Sequence, residues 1–452
     1  MRNRDTFTLA AAGDAILNRR LRVYEDEEFR GVVDRVRGAD LSIVNLETLL
    51  HEYEEGYPWA NAPGTYMQSP PWVADELTWA GFDAFATATN HALDYSHGGI
   101  ETTIYELEKR DIPYAGLGHN LAQARAPTYV ETPAGRGVLI SVCSTITPGS
   151  IAGEQRPEVG GRPGIAPLRL ETRHRVSADA MESLLSISEA LGLETLKKQQ
   201  AELGFPIAGH DDETFRLFNL ADGDHPAFEV ADEFGIKQRA KSSDVEAVRK
   251  RILDAKRQAD WVVVSLHAHE GAEGRSNDHS VPSFIESFAK TCIEEGADAF
   301  IGHGPHVLRG IEIHEGAPIF YSLGNFIMQN ETVEFLPTEM YERYGLDKSA
   351  SPADAFDARV FDEEGNRTGF LGDSAFWESV LPVCEFDTET GDLESIELHP
   401  IELGHELPRP QRGRPLIAEG ETAAKILEDL IEFSAPYGTK ISVEGNRGRI
   451  NI

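Results

Sequence analysis

The chain has 452 residues, 40% of them hydrophobic, with 76 acidic residues against 42 basic ones and a formal net charge of -34. Long-range repulsion from such a surface excludes nucleic acid and anionic membranes as partners, and self-repulsion of that size points to a salt-rich cytoplasm where it is screened. Cys143, Cys292 and Cys384 are odd in number, far apart and set in apolar runs, which excludes a disulfide framework or a thiolate metal site and makes them core residues.

The stretch MRNRDTFTLAAAGD holds too short an apolar run before Asp14 for a signal sequence. No window approaches the roughly 18 apolar residues of a membrane span, so no integral membrane segment is expected. Residues 1–148 read as successive βα units: a strand to Asp14, a helix around Phe29 to Val36, a strand to Leu46, a helix around Trp72 to Ala80, a strand to Thr89, a helix around Ile100 to Lys109, then VLISVCS. From about 149 to 245 the pattern turns to Gly, Pro and charge. One helical segment, ADAMESLLSISEALGLETLKKQQAEL, stands out there, and the region reads as an insertion beside the site, either a lid or a packed surface helix. The α/β pattern resumes with WVVVSL, an apolar helix stripe of Val281, Phe284, Ile285, Phe288 and Cys292, and the strand Ala299-Phe300-Ile301. Residues 331–373 read as polar and irregular. SAFWESVLPVCEF and LESIELHPIEL alternate around DTETGD as a hairpin, and a helix in TAAKILEDLIEFSAPYG precedes a short tail.

Five of the apolar runs stop on residues that ligate metals: TFTLAAAG at Asp14, LSIVNL at Glu47, FDAFATAT at Asn90 and His91, WVVVSL at His267, and Ala299-Phe300-Ile301 at a turn carrying His303 and His306. Ligands of parallel α/β sheets bind outside the carboxyl ends of the strands, so these residues are expected to converge on one pocket. Carboxylates, imidazoles and an amide oxygen form the donor inventory for one or two divalent ions such as Mn, Zn or Fe.

In chain order, GDAILNRR, DLSIVNLET, ATNHALDY, VVVSLHAHEG and IGHGPHVLRGIEI followed by PIFYSLGNF resemble the motif set of the CapA (PgsA) capsule or poly-gamma-glutamate biosynthesis proteins, which are similar to calcineurin-like metallophosphatases. The resemblance covers roughly residues 6–150 and 258–330 and extends weakly to about 405. It implies an α/β, metallophosphatase-like layered fold in which two mixed β-sheets pack together and are flanked by helices. Motifs spread from residue 14 to residue 325 place residues 1–406 in one domain that carries the insertion, with 407–452 as a C-terminal helix and tail on its core. The membrane anchor typical of the capsule proteins is not read in this sequence.

The resemblance also implies roles. Glu47 stands where the metallophosphatases place a bridging carboxylate, with Asn90, His267 and His303 completing one metal and Asp14 and His306 the other. Ile16 occupies the position of a usual histidine, so mononuclear binding stays open. His91, oriented by Asp94, resembles the histidine that faces the leaving group and gives it a proton. Candidate substrate contacts are Arg19, at the family's arginine position, Arg309, which is otherwise a structural arginine, and His269, which with Glu270 is otherwise a solvent-facing loop pair. Gly304 replaces a further histidine. The implied activity is hydrolysis, metal-activated water attacking a small phosphoester or related anionic or γ-glutamyl substrate. Two alternatives stay open: metal-assisted peptide or polyglutamate modification by chain transfer or α-carbon epimerisation, and a non-catalytic accessory role in polymer assembly.

The acidic surface makes a testable expectation of its own. The Debye length falls from about 10 Å at 0.1 M salt to about 3 Å at 1 M, so melting midpoints should rise when potassium chloride is increased over that range. A flat or falling midpoint would reject the salt-adapted reading.

Overall fold

Runs such as LSIVNL, WVVVSLH and AFIGH lack polar alternation, and each forms a strand buried along its whole length. The computed structural model describes residues 5–60, 62, 64–205, 214–218 and 226–452. In chain order its principal strands are β1 (Thr6–Ile16), β2 (Leu41–Leu46), β3 (Ala84–Ala86), β4 (Gly135–Cys143), β5 (Trp261–His267), β6 (Ala299–His303), β7 (Ala317–Phe320), β8 (Asn325–Met328), β9 (Glu378–Asp387), β10 (Leu393–Glu402) and β11 (Arg447–Asn451). One sheet contains the order β11-β10-β9-β1-β2-β3, with β8 also paired to β1. The other contains β7-β6-β5-β4. Pairing is parallel among β1, β2, β3 and β8 and throughout β4 to β7, and antiparallel where β9 meets β1. The expected arrangement of two mixed sheets flanked by helices is the one observed.

The sheets face each other across an apolar layer. Phe7 of β1 stacks on Trp261 of β5 with ring centroids 4.4 Å apart, and Leu9, Ile43, Val263 and Ile301 fill the same layer. Helices α1 (Glu27–Gly38) and α2 (Val73–Ala80) cover the outside of the first sheet with Phe29, Val32 and Leu77. Helices α3 (Ser242–Ala255) and α4 (Ser283–Glu294) cover the second with Val248, Ile252, Phe284 and Phe288. The amphipathic stripe at helical spacing supplies each of these faces. All three cysteines are buried and free.

Three regions hold more order than the sequence pattern suggests. The long helical segment of the insertion is two helices, Ala178–Ala190 and Leu193–Glu202, because Gly192 takes a left-handed φ of 72° that ends the first. The insertion also forms its own four-stranded sheet from Leu170–Val176, Phe215–Arg216, Ala227–Val230 and Gly235–Ala240. Within the polar stretch 331–373, helices Thr338–Arg343 and Pro352–Val360 form, the second started by a capping box between Ser351 and Asp354. The tail after the closing helix is not a loose end: β11 pairs with β10 and extends the first sheet.

The strand that opens the first sheet is bent at one point. Its register against β2 shifts between Ala12 and Asp14, and against β8 between Asp14 and Ala15. Gly13 sits in that bulge, and a Cβ there would lie 1.9 Å from the Gly324 carbonyl oxygen, which also accepts a hydrogen bond from the Asp14 amide at 3.1 Å. Gly13→Ala should therefore destabilise the fold by about 1–3 kcal/mol through overpacking. A melting midpoint equal to that of wild type would show that this contact has slack.

Candidate metal centre

In-register pairing of β5 with β6 sets His267 beside His303, and their Nδ1 atoms lie 3.0 Å apart. The bulge in β1 turns Asp14 toward them. Its Oδ1 is 3.6 Å from His267 Nδ1 and 3.4 Å from His303 Nδ1, and its Oδ2 is 3.3 Å from His306 Nδ1. Glu47, just past β2, places Oε1 3.6 Å from His267 Nε2, 3.7 Å from His306 Nε2 and 4.0 Å from His91 Nε2. Asn90 Oδ1 is 3.0 Å from His267 Nε2. The six residues singled out as ligands thus lie around one point, at the carboxyl ends of strands from both sheets.

Their grouping differs from the one the resemblance implies. Donor atoms of Asp14, His267 and His303 form one cluster, and those of Glu47, His269 and His306 form a second, each within 4.8 Å. Asp14 thus reaches His267 and His303 as well as His306, with which the resemblance pairs it. His269, expected at the substrate, faces His267 with Nε2 atoms 3.0 Å apart and joins the donor set. Glu270 turns the other way, accepting hydrogen bonds from Ser144 Oγ at 2.8 Å and Thr145 Oγ1 at 2.9 Å.

Neither Arg19 nor Arg309, the arginines named from sequence, lines the cavity at this centre. Arg19 donates to the carbonyls of Pro410 and Arg412. Arg309 is wholly buried and donates to the carbonyls of Glu270 at 2.9 Å and Asp278 at 3.0 Å. Burial pulls its pKa down to about 10, with nearby Asp278 and Glu270 opposing the shift. It braces the loop that carries His269. Gly304, in place of a histidine, has φ 111° and no room for a Cβ against Ala268; its amide donates to Asp14 Oδ2 at 3.0 Å.

A ring of supporting side chains fixes the imidazoles. Ser265 Oγ lies 2.6 Å from His303 Nε2, Asn325 Oδ1 2.9 Å from His306 Nδ1, and Asn277 Oδ1 2.7 Å from His269 Nδ1. Asn45 Nδ2 donates to Asp14 Oδ1 at 2.8 Å. Such partners decide which ring nitrogen is left for a metal. Sequence reasoning passed over all four, although Ser265 sits two residues before His267 on the same strand and Asn45 two residues before Glu47. His91 Nδ1 lies 2.6 Å from Asp94 Oδ2, which also accepts the Met67 amide at 2.7 Å.

Electrostatics favour a cation. Burial raises the Asp14 carboxyl, but contacts with His267, His303 and His306 overcome it and hold the group well below its ordinary range. Glu47 is pushed well above its range by burial, then by the charges of Asp14 and Asp94. His267 falls to about 4 through burial, against the pull of Asp14, and His269 is held well below its ordinary range by burial and by its neighbours His267 and His306. Among the described residues both Glu47 oxygens lack a hydrogen-bond partner. Fully desolvated carboxylate oxygens facing nitrogen lone pairs fit a divalent ion, which satisfies both. A cavity of about 170 Å³ opens on this centre, lined by Asn90, His91, His269, His306, Arg359 and Phe370 among others. No described residue of the insertion lines it.

Comparison with known proteins adds the following. The model of the family described as bacterial capsule synthesis protein PGA_cap matches residues 8–330. An uncharacterized protein, y4sH, of Sinorhizobium fredii is 33% identical over 99% of this chain and 94% of its own length. The capsule biosynthesis protein CapA of Bacillus anthracis is 22% identical over 72% of this chain, which spans 61% of that protein. Among solved structures, a phosphatase of Mycoplasma pneumoniae is similar at 11% identity, over 89% of this chain and 95% of that one, with a TM-score of 0.41. Among the described residues, no helix is long and apolar enough to cross a membrane.

The sign of the Glu47 effect gives a test. A carboxyl whose folded pKa lies above its ordinary 4.5 contributes stability that is present below that pH and is lost as pH rises. In chelator at about pH 8, Glu47→Gln should be more stable than wild type by about 1–3 kcal/mol, with the gap closing as pH falls toward 4.5. Saturating manganese should reverse the order. Denaturation midpoints in chelator and in metal read both effects, and wild type exceeding the variant in chelator would contradict the assignment.

Proposed function

Since this chain belongs to the bacterial capsule synthesis protein PGA_cap family, we propose that it is a metal-dependent hydrolase of that family, cleaving a phosphoester or a related anionic substrate in capsule or polyglutamate metabolism. The observation that carries this reading is the buried Glu47 carboxylate, without a hydrogen bond at either oxygen among the described residues and facing imidazoles from three separate segments. Asp14, His267 and His303 would hold one ion, with Asn90 beside His267, and Glu47, His269 and His306 would hold a second. Divalent ions in such a setting polarise a substrate oxygen and bring bound water into the titration range of neutral pH.

The chain's own groups complete the arrangement. Asp94 accepts a hydrogen bond from His91 Nδ1 and so turns Nε2 toward Glu47 and the cavity. When protonated, that Nε2 can pass its proton to a departing oxygen, and the fixed ring spares the reaction the cost of orienting it. Ile16, Met67 and Phe370 add an apolar lining that keeps bulk water from competing. Ser265, Asn277 and Asn325 hold the ligating rings in place whether or not substrate is bound.

Elemental analysis of purified wild type, His303→Ala and His91→Ala, followed by kinetics on phosphoesters with good and poor leaving groups and on γ-glutamyl peptides, tests the reading. His303→Ala should lose metal and activity together. His91→Ala should keep its metal and lose roughly 10²–10⁴-fold in turnover on poor leaving groups, with much less effect on activated ones. Equal losses on both classes would remove the acid role from His91, and metal-loaded wild type inactive on the whole panel would reject the hydrolase.

A further inference from the structure

Among the described residues that line the cavity, one is an arginine, and it comes from outside the family match. Helix α5 (Pro352–Val360) lies beyond residue 330 and delivers Arg359 to the cavity beside Thr65, His91, His306 and Phe370. The Phe370 ring stands edge-on to His306 with centroids 5.1 Å apart, and the Arg359 guanidinium carbon is 5.8 Å from the same ring's centroid. One aromatic ring therefore separates the guanidinium from a residue of the donor set. Arg359 donates a hydrogen bond to Thr65 Oγ1. Among the described residues no carboxylate lies within the 4.0 Å that defines an ion pair with it. Arg412, by contrast, is 2.5 Å from Glu331, while Arg309, which also lacks an ion pair among the described residues, is spent on two backbone carbonyls. In a chain of net charge -34 an unneutralised guanidinium beside a cavity is a conspicuous exception.

We propose that Arg359 binds a second oxyanion of the substrate, a carboxylate or a phosphate lying about one aromatic ring's width from the group that meets the metals. The planar fork of a guanidinium matches either oxyanion through paired hydrogen bonds. Phe370 sets the spacing, so a substrate with a single anionic group fills one end of the cavity and a substrate with two fills both. Burial lowers the pKa of Arg359, with the more distant Tyr344 and Glu331 opposing the shift. The inference rests on the metal-centre reading, and it names which small anions that centre accepts.

Calorimetric titration of the manganese-loaded full chain separates the two claims. Ethylphosphonate offers the metals one anionic group, 3-phosphonopropionate adds a carboxylate, and propane-1,3-diphosphonate adds a phosphonate. Arg359→Gln should weaken one or both two-ended ligands about tenfold or more while leaving ethylphosphonate unchanged, and Arg359→Lys should lose less. The arm that loses more identifies the second group as carboxylate or phosphate. Equal affinities for wild type and Arg359→Gln, an equal loss on ethylphosphonate, or a fall in bound metal in the variant would each overturn the proposal. Wild type that binds no metal would instead overturn the underlying reading, and elemental analysis shows this before any ligand is added.

Discussion

Two carboxylates and four imidazoles share one dry junction between the sheets, and leaving charge there uncompensated costs several kcal/mol per group. Much of the surrounding structure answers that constraint. Asn45 and the Gly304 amide donate to Asp14, while Ser265, Asn277 and Asn325 each occupy one nitrogen of a histidine. Glu47 is the residue left over, with imidazole nitrogens beyond hydrogen-bond range and no other partner among the described residues. A protein stabilised only by its own contacts gains nothing from such a group. A divalent ion turns the same desolvation into affinity, because water no longer competes for the ligand atoms.

The position of the junction was legible in the sequence for a plain reason. Parallel strands buried on both faces read as continuous apolar runs, and the first polar residue after each run marks the carboxyl end where sites form. LSIVNL before Glu47, WVVVSL before His267 and AFIG before His303 carry that signal without ambiguity. The two-sheet layering followed from the resemblance, and the helices outside it from stripes at helical spacing, as in Phe29, Val32, Val33 and Val36. Order in the stretch 331–373 was not legible, since a helix of nine residues that buries only Ala355, Phe356 and Val360 is too short to show a sustained periodic stripe.

What the sequence left open was direction. Arg19 and Arg309 stand in motif positions, yet their guanidiniums go to backbone carbonyls of Pro410, Arg412, Glu270 and Asp278, partners set by tertiary packing alone. His269 sits two residues beyond His267 and projects inward because the loop is pinned by Thr145 and Asn277. Arg359, the one arginine among the described residues lining the cavity, arrives on a helix with no motif at all. Residue type and spacing locate a site, whereas the hydrogen bonds of loops decide which of its neighbours face it.

The turn Gly304-Pro305-His306 shows how far that distinction reaches. Gly304 adopts φ 111° against the backbone of Ala268, and His306 holds φ 62°, a left-handed conformation that costs a non-glycine residue energy. Both conformations lie on the chain path between His303 and Asn325, whose side-chain oxygen holds the His306 ring at 2.9 Å. In a genetic screen, an allele carrying a side chain at Gly304 would therefore score with the null alleles of the ligands themselves, although every donor atom it encodes is intact. Alignment of donors alone would miss that class of variant, because the information it destroys is a backbone angle.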